Sequence, residues 1–130
     1  MEENEIFEDE ALVNDELQKE IDSKLTKLRE SNPKCRIHAI VVQGCDPEEK
    51  DLYIGYFRDP SFKTFSKYLS FISNGQQAAA MRALAQDCFL DGDKELVDDD
   101  SLFVGGLMGQ LPKLIEMRNS QLVNLSKARK

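Results

Sequence analysis

Residues 51–62, Asp-Leu-Tyr-Ile-Gly-Tyr-Phe-Arg-Asp-Pro-Ser-Phe, constrain this chain more than any other stretch. Leu52, Ile54 and Tyr56 alternate with Tyr53, Gly55 and Phe57, which is the two-residue period of a strand. That period must end at Pro60, whose ring fixes φ and removes a backbone donor. Asp59 can cap a helix and Pro60 suits a first helical position, so a sheet half passes into a helical half here.

The segment upstream supplies a partner strand and a helix to cover it. Residues 35–43 turn continuously apolar and β-branched at Ala39, Ile40, Val41 and Val42, as a strand buried on at least one face does. Gly44-Cys45-Asp46-Pro47 carries turn chemistry, so residues 35–57 are expected to form a β-hairpin. Before it, Asn14 is a good N-cap, and Leu17, Ile21, Leu25 and Leu28 make one apolar stripe that predicts a helix ending before Asn32-Pro33.

Downstream the periodicity is helical. Phe62, Phe65, Leu69 and Ile72 form a stripe, with Tyr68 beside it, on a helix that Ser73-Asn74-Gly75 closes. Ala80, Met81, Leu84, Ala85 and Cys88 predict a second helix over residues 76–90, broken at Asp91-Gly92-Asp93. Asp99 or Asp100 can cap a third, carrying Leu102, Phe103, Leu107 and Met108. In it Gly105, Gly106 and Gly109 are costly and suggest tight packing. Leu111, Leu114, Ile115, Leu122 and Leu125 predict a last helix opened or bent by Pro112.

The expected fold class is therefore α+β: an N-terminal helix, a β-hairpin, and a helical C-terminal half of three to four helices. A chain of 130 residues is the usual size of one domain. We expect residues 13–130 to form it, preceded by an acidic tail over 1–12. Two readings of that tail stay open. It is a solvated segment, or it is a docking peptide anchored by Ile6 and Phe7 that pairs with a basic groove. Two strands by themselves are marginally stable, so helices must cover them or another chain must extend the edge at Leu52, Ile54 and Tyr56 or on the partner strand.

Charge and composition exclude several functions. The net charge of −7 disfavours nucleic acid and anionic membranes as partners and points to proteins. The acid is clustered, at Glu2, Glu3, Glu5, Glu8, Asp9 and Glu10 and again between Asp91 and Asp100. No apolar run reaches the ~20 residues of a membrane span, and the acidic N-terminus is unlike a signal peptide, so a cytoplasmic protein is expected. Three cysteines, Cys35, Cys45 and Cys88, suit reduced thiols.

No catalytic or metal motif survives a check of spacing. Cys35 and His38 would point to opposite faces of a strand, and no close cysteine pair completes a zinc set. A calcium loop begun at Asp91 would need glycine at its sixth position and glutamate at its twelfth, where Leu96 and Leu102 stand. The three glycines are not followed by the Lys-Ser/Thr of a phosphate loop. His38 is the only histidine, so a structural role is expected for it. We expect no cofactor, no metal and no catalysis.

Three motifs in order carry a resemblance: Tyr56-Phe-Arg-Asp-Pro-Ser61, Cys88-Phe-Leu-Asp-Gly-Asp-Lys-Glu-Leu-Val97, and Asp99-Asp-Ser-Leu-Phe103, followed by a Leu- and Ile-rich close. This arrangement resembles tail-assembly chaperones and neighbouring virion-morphogenesis proteins of tailed bacteriophages, although Asp59 precedes the proline where a basic residue would be expected. The resemblance implies a non-enzymatic protein, in the host cytoplasm during assembly or in the virion. It would bind other phage structural proteins of tail or head, or copies of itself. Leu114, Ile115, Leu122 and Leu125, with Ile6, Phe7 and the β-strand residues Leu52, Ile54 and Tyr56, are the candidate contacts. The acid clusters motivate an alternative, a host-directed inhibitor that mimics nucleic acid.

Overall fold

The computed structural model describes residues 13–44 and 51–124. The acidic tail, with Ile6 and Phe7, and Leu125 lie outside those residues. The described chain runs α1 (Asp15–Ser31), β1 (Ile37–Gln43), β2 (Leu52–Arg58), α2 (Phe62–Ser73), α3 (Gln77–Cys88) and β3 (Phe89–Gly92). Two short helices, α4 (Glu95–Asp98) and α5 (Asp100–Gly105), and a 3₁₀ helix over Leu107–Ile115 follow. The α+β class is as the periodicities predicted.

Asn14 caps α1 as expected, its side chain accepting from the Leu17 amide at 2.8 Å. The hairpin also forms, with Ile37 opposite Arg58 and Gln43 opposite Leu52. It is not, however, the whole sheet. The strand order is β1-β2-β3, all antiparallel, so β2 is central. Residues 89–92, read from periodicity as the last two residues of a helix and the break after it, are the third strand. Ile54 and Asp93 close its far end, the Asp93 amide donating to the Ile54 carbonyl and the Ile54 amide to the Asp93 carboxylate, each at 2.8 Å. Of the expected edge, Ile54 and Tyr56 are therefore bonded on both sides and Leu52 only to β1, and the sheet's edge strands are β1 and β3.

Strand register divides the sheet into two faces. Ile40, Val42, Gly55 and Phe57 share one face with Tyr53, and on it lie Leu84, Ala85 and Cys88 of α3, Leu96 and Val97 of α4, Phe103 of α5 and Leu107, Leu111 and Leu114 of the 3₁₀ helix. Gly55 leaves that face free for the Phe57 ring and Leu96, which a Cβ would meet at 2.8 and 2.9 Å. Tyr56 lies on the opposite face, towards Lys24 and Glu20 of α1, which rests against β1 through buried Ile21. Lys24 of α1 also reaches Asp91 of β3 at 2.5 Å.

Three further expectations need correction. Ser61, not Asp59, caps α2, because the Asp59 side chain turns away to meet Arg36 and His38. The helix expected through Leu102, Phe103, Leu107 and Met108 breaks at Gly106, where a Cβ would lie 2.3 Å from Val42 Cγ1; this close approach of backbone to β1 is what stops α5. The last helix is a 3₁₀ segment ending at Ile115, and residues 116–124 form no regular element. The 111–114 spacing suits a 3₁₀ turn as well as an α turn, because side chains three apart eclipse there. Leu122 is consequently exposed and on no helix.

The acidic stretch is also more ordered than a solvated loop. It folds as α4 with Leu96 and Val97 fully buried, and Asp99 caps α5 by accepting from the Leu102 amide at 3.0 Å.

The neighbouring glycines separate two effects. Gly106→Ala should lower stability by about 1–3 kcal/mol, because Val42 and the Leu102 carbonyl leave no room. Gly105→Ala, with open space at its Cβ, should raise it by up to about 1 kcal/mol. Urea denaturation of the two variants checks this, and equal effects would refute the packing account.

Candidate functional site

The chemistry of the fold converges where β2 ends. Register places Arg58 opposite Ile37, so Asp59, one residue on, comes level with Arg36, and its amide donates to the Arg36 carbonyl at 3.0 Å. The Asp59 carboxylate then accepts from Arg36 Nε at 2.7 Å and from His38 Nε2 at 2.8 Å. An ionised carboxylate only accepts, so His38 Nε2 carries a proton. Arg118, from the segment after the 3₁₀ helix, lies 3.6 Å from the same carboxylate and donates to the Lys34 carbonyl at 3.1 Å. Arg36 reaches that segment too, donating to the Glu116 carbonyl at 2.5 Å.

Three chain segments distant in sequence thus meet at one carboxylate whose side chain is only 14% exposed. Burial alone would raise the Asp59 pKa, but the hydrogen bonds and charges of Arg36 and His38 outweigh it and hold the group below the usual carboxylate value. Both oxygens are occupied, and the Cys35 thiol makes a long contact of 3.9 Å with the Asp59 carbonyl. The cluster ties backbone segments together, and His38 finds in Asp59 a partner that no local motif announces.

Beside the cluster runs a groove of about 420 Å³. Phe62 and Phe65 of α2 form one wall, Leu114, Ile115 and Met117 the other, and Lys34, Arg36 and Arg118 stand at its charged end with Asp59 and Glu116. The α2 wall is only partly buried. The stripe Phe62, Phe65, Leu69, Ile72 forms on a helix as predicted, yet Phe62 is 85% and Leu69 46% exposed. The reason is that α2 packs chiefly on α3 and uses another face to do so: Thr64 is its buried residue, held through its hydroxyl to Asp87 of α3 at 3.4 Å, with Lys67 on the same carboxylate at 2.9 Å. Glycine at 75, with φ +76, turns the chain from α2 into α3.

The candidate contacts proposed from sequence scatter. Leu114, fully buried, and Ile115, half-buried, are brought together on the groove wall. Leu52, Ile54 and Tyr56 lie on central β2, away from it. Leu122 is exposed on the 116–124 segment. Sequence reasoning missed Arg36, Arg118, Phe62 and Met117. The first of these was accessible, because any hairpin register that pairs 37 with 58 sets residues 36 and 59 side by side.

Among the described residues no group of three His, Cys, Asp or Glu side chains could hold a metal ion, and no helix is long and apolar enough to cross a membrane. Cys88 is buried in the core, which pushes its thiol up to about 12 and leaves it a protonated, unreactive group at neutral pH.

Asp59 should link stability to pH. Its folded-state pKa lies below the unfolded one, so its contribution is complete above the unfolded value, near 4, and is lost as pH falls through the folded value. Asp59→Asn should cost about 2 kcal/mol at pH 7, and the difference from the parent protein should shrink below about pH 4. Urea titrations from pH 7 to 3 measure both. A pH-independent difference would show that another group carries the linkage.

No family model, no curated protein and no solved structure matches this chain, so the site is interpreted from its own chemistry.

Proposed function

We propose that this chain is a non-enzymatic morphogenesis protein of a tailed bacteriophage, a tail-assembly chaperone or a minor virion component, that works by binding other phage structural proteins. The motifs at 56–61, 88–97 and 99–103 motivate the phage assignment. The observation that supports binding is the row Phe62, Leu69 and Ile72, exposed on a helix that leads into a groove with apolar walls. Contiguous apolar surface of this kind on a small charged protein marks an interaction site. An unpartnered helix face beside a groove suits a helix or extended segment of another protein.

On this reading the protein acts in the host cytoplasm during assembly or travels with the particle, and its partners are tail or head components. Self-association through the same face is the other protein partner to consider. A nucleic-acid mimic draws less support, because the acid between 91 and 100 is largely used within the fold. Asp91 pairs with Lys24, Asp93 bonds the Ile54 amide, Asp99 caps α5, and Asp100 meets Arg82 at 3.0 Å. A mimic needs such carboxylates presented to a partner.

The test is affinity capture from cells infected with the phage that encodes the chain, using the parent protein and Phe62→Asp/Leu69→Asp. Both replaced side chains are exposed, so the variant should fold, which circular dichroism verifies. The parent protein should retain a phage tail or head component that the variant loses at least about tenfold, the loss expected when a buried aromatic anchor is removed. Capture of no phage structural protein, or equal capture by both, would overturn the proposal.

A further inference from the structure

Hydrogen-bond direction along β1 shows which of its backbone groups the fold uses. The Gly44 amide donates to the Asp51 carbonyl and the Asp59 amide to the Arg36 carbonyl. With Ile40 opposite Gly55, the residues that turn their N–H and C=O groups towards β2 are therefore 36, 38, 40, 42 and 44. Ile37, Ala39, Val41 and Gln43 turn theirs the other way. No hydrogen bond among the described residues takes up these four donors and four acceptors.

The two edges of the sheet are not alike. β3 has only four residues, a register shift beside Tyr56 and Phe57, and the Lys24–Asp91 pair, each of which hinders addition of a further strand. β1 has seven residues, Ile-His-Ala-Ile-Val-Val-Gln, with no proline, lysine, arginine or carboxylate and an unbroken register against β2. A straight, uncharged edge of this length is a template for another strand.

The sequence of β1 specifies what that strand is. In an antiparallel pair the outward-turned residues exchange both of their bonds, and within β1 only a two-fold axis through Ile40 engages all four on each copy. Ile37 of one copy then lies opposite Gln43 of the other, and Ala39 opposite Val41. Four donors on each of two strands give eight hydrogen bonds. Between these pairs Ile40 meets Ile40 and His38 meets Val42, so no charged side chain opposes another. A foreign strand finds no charge here to select it, whereas a second β1 fits at every position. Such a contact is isologous and closes at two copies.

We propose that this protein is a two-fold dimer in which the β1 edges of two copies pair antiparallel about Ile40 and join two three-stranded sheets into one. The pairing uses backbone groups of β1 and does not rest on the reading of the α2 row as a partner-binding surface.

The test is made on the purified full chain alone. Analytical ultracentrifugation should show the mass rising with concentration from 14.8 kDa to twice that value and no further. Residue-resolved amide exchange by NMR should show Ile37, Ala39, Val41 and Gln43 slowing at least about tenfold in the dimer, with His38, Ile40 and Val42 unchanged because β2 already holds them. Val41→Pro removes one outward donor and none of the β1–β2 bonds, and Ala39→Lys puts a cation beside the axis in both strands. Each should weaken dimerisation at least about tenfold, whereas Val41→Thr, which keeps the donor, should dimerise as the parent does. Circular dichroism checks that the variants fold, and if Val41→Pro does not, the parent's exchange pattern and Ala39→Lys decide. A parent protein that stays monomeric up to about 1 mM, assembles beyond two copies, or dimerises with protection at other amides would overturn the proposal. So would unweakened dimerisation of folded Val41→Pro or Ala39→Lys.

Discussion

A single carboxylate decides how the two halves of this chain meet. Asp59 follows the central strand directly and precedes the proline that ends it, so its backbone is fixed by the sheet while its side chain is drawn to His38 on β1 and to Arg36 just before it. The segment after the 3₁₀ helix is then recruited through Arg118 and through the Glu116 carbonyl, which Arg36 holds. A charge this poorly exposed is tolerated only because each oxygen has a cationic or protonated donor. The groove is a by-product of that arrangement. With 116–118 pinned on one side and α2 launched from Ser61 on the other, a channel is left between Met117 and Phe62.

The rest of the fold protects the strand that leads to Asp59. A two-stranded hairpin would leave β2 with a row of unpaired backbone groups, and β3 removes that edge with only four residues. The Phe89 ring stands edge-on to Phe57 with centroids 5.5 Å apart, and Gly92, at φ +106 and with no space for a Cβ beside the Ile54 carbonyl, turns the chain away at the end. Arg82 fastens the next elements from α3, donating to the Val97 carbonyl at 3.0 Å, pairing with Asp100 and lying over the Phe103 ring. Thus the acidic stretch is consumed as structural ligands, which is why a region of high charge can bury Leu96 and Val97.

Local signals and nonlocal ones were unequally legible. The helix capped by Asn14, the hairpin, and the stop at Gly75 depend on residues within a few positions of one another, and periodicity finds them. Strand β3 does not, because Cys88-Phe89-Leu90 continues the apolar spacing of α3 and only pairing with a strand more than thirty residues earlier marks it as extended. The end of α5 at Gly106 depends likewise on Val42. The Arg36, His38 and Asp59 cluster lies between these cases: no motif reveals it, yet hairpin register places its members together. The exposure of the row on α2 was not legible, because an apolar stripe says that a helix has something to bury, not that this chain supplies it.

That last distinction bears on what kind of protein this is. The helix α2 is held to α3 by Thr64 and Lys67 on Asp87 and by half-buried Phe65, Tyr68 and Phe71, so its attachment does not need Phe62 or Leu69. Leaving two large apolar residues in water offers the folded monomer nothing, since burying each is worth roughly 1.5–3 kcal/mol. The same surface is where lysines and arginines outnumber acids in a chain whose net charge is −7. Apolar area supplies affinity and opposite charge supplies selection, and neither is required for the packing of the sheet or its helices. Two independent properties that the fold does not use coincide at one end of the molecule, and they are the two that the proposed protein partner would use.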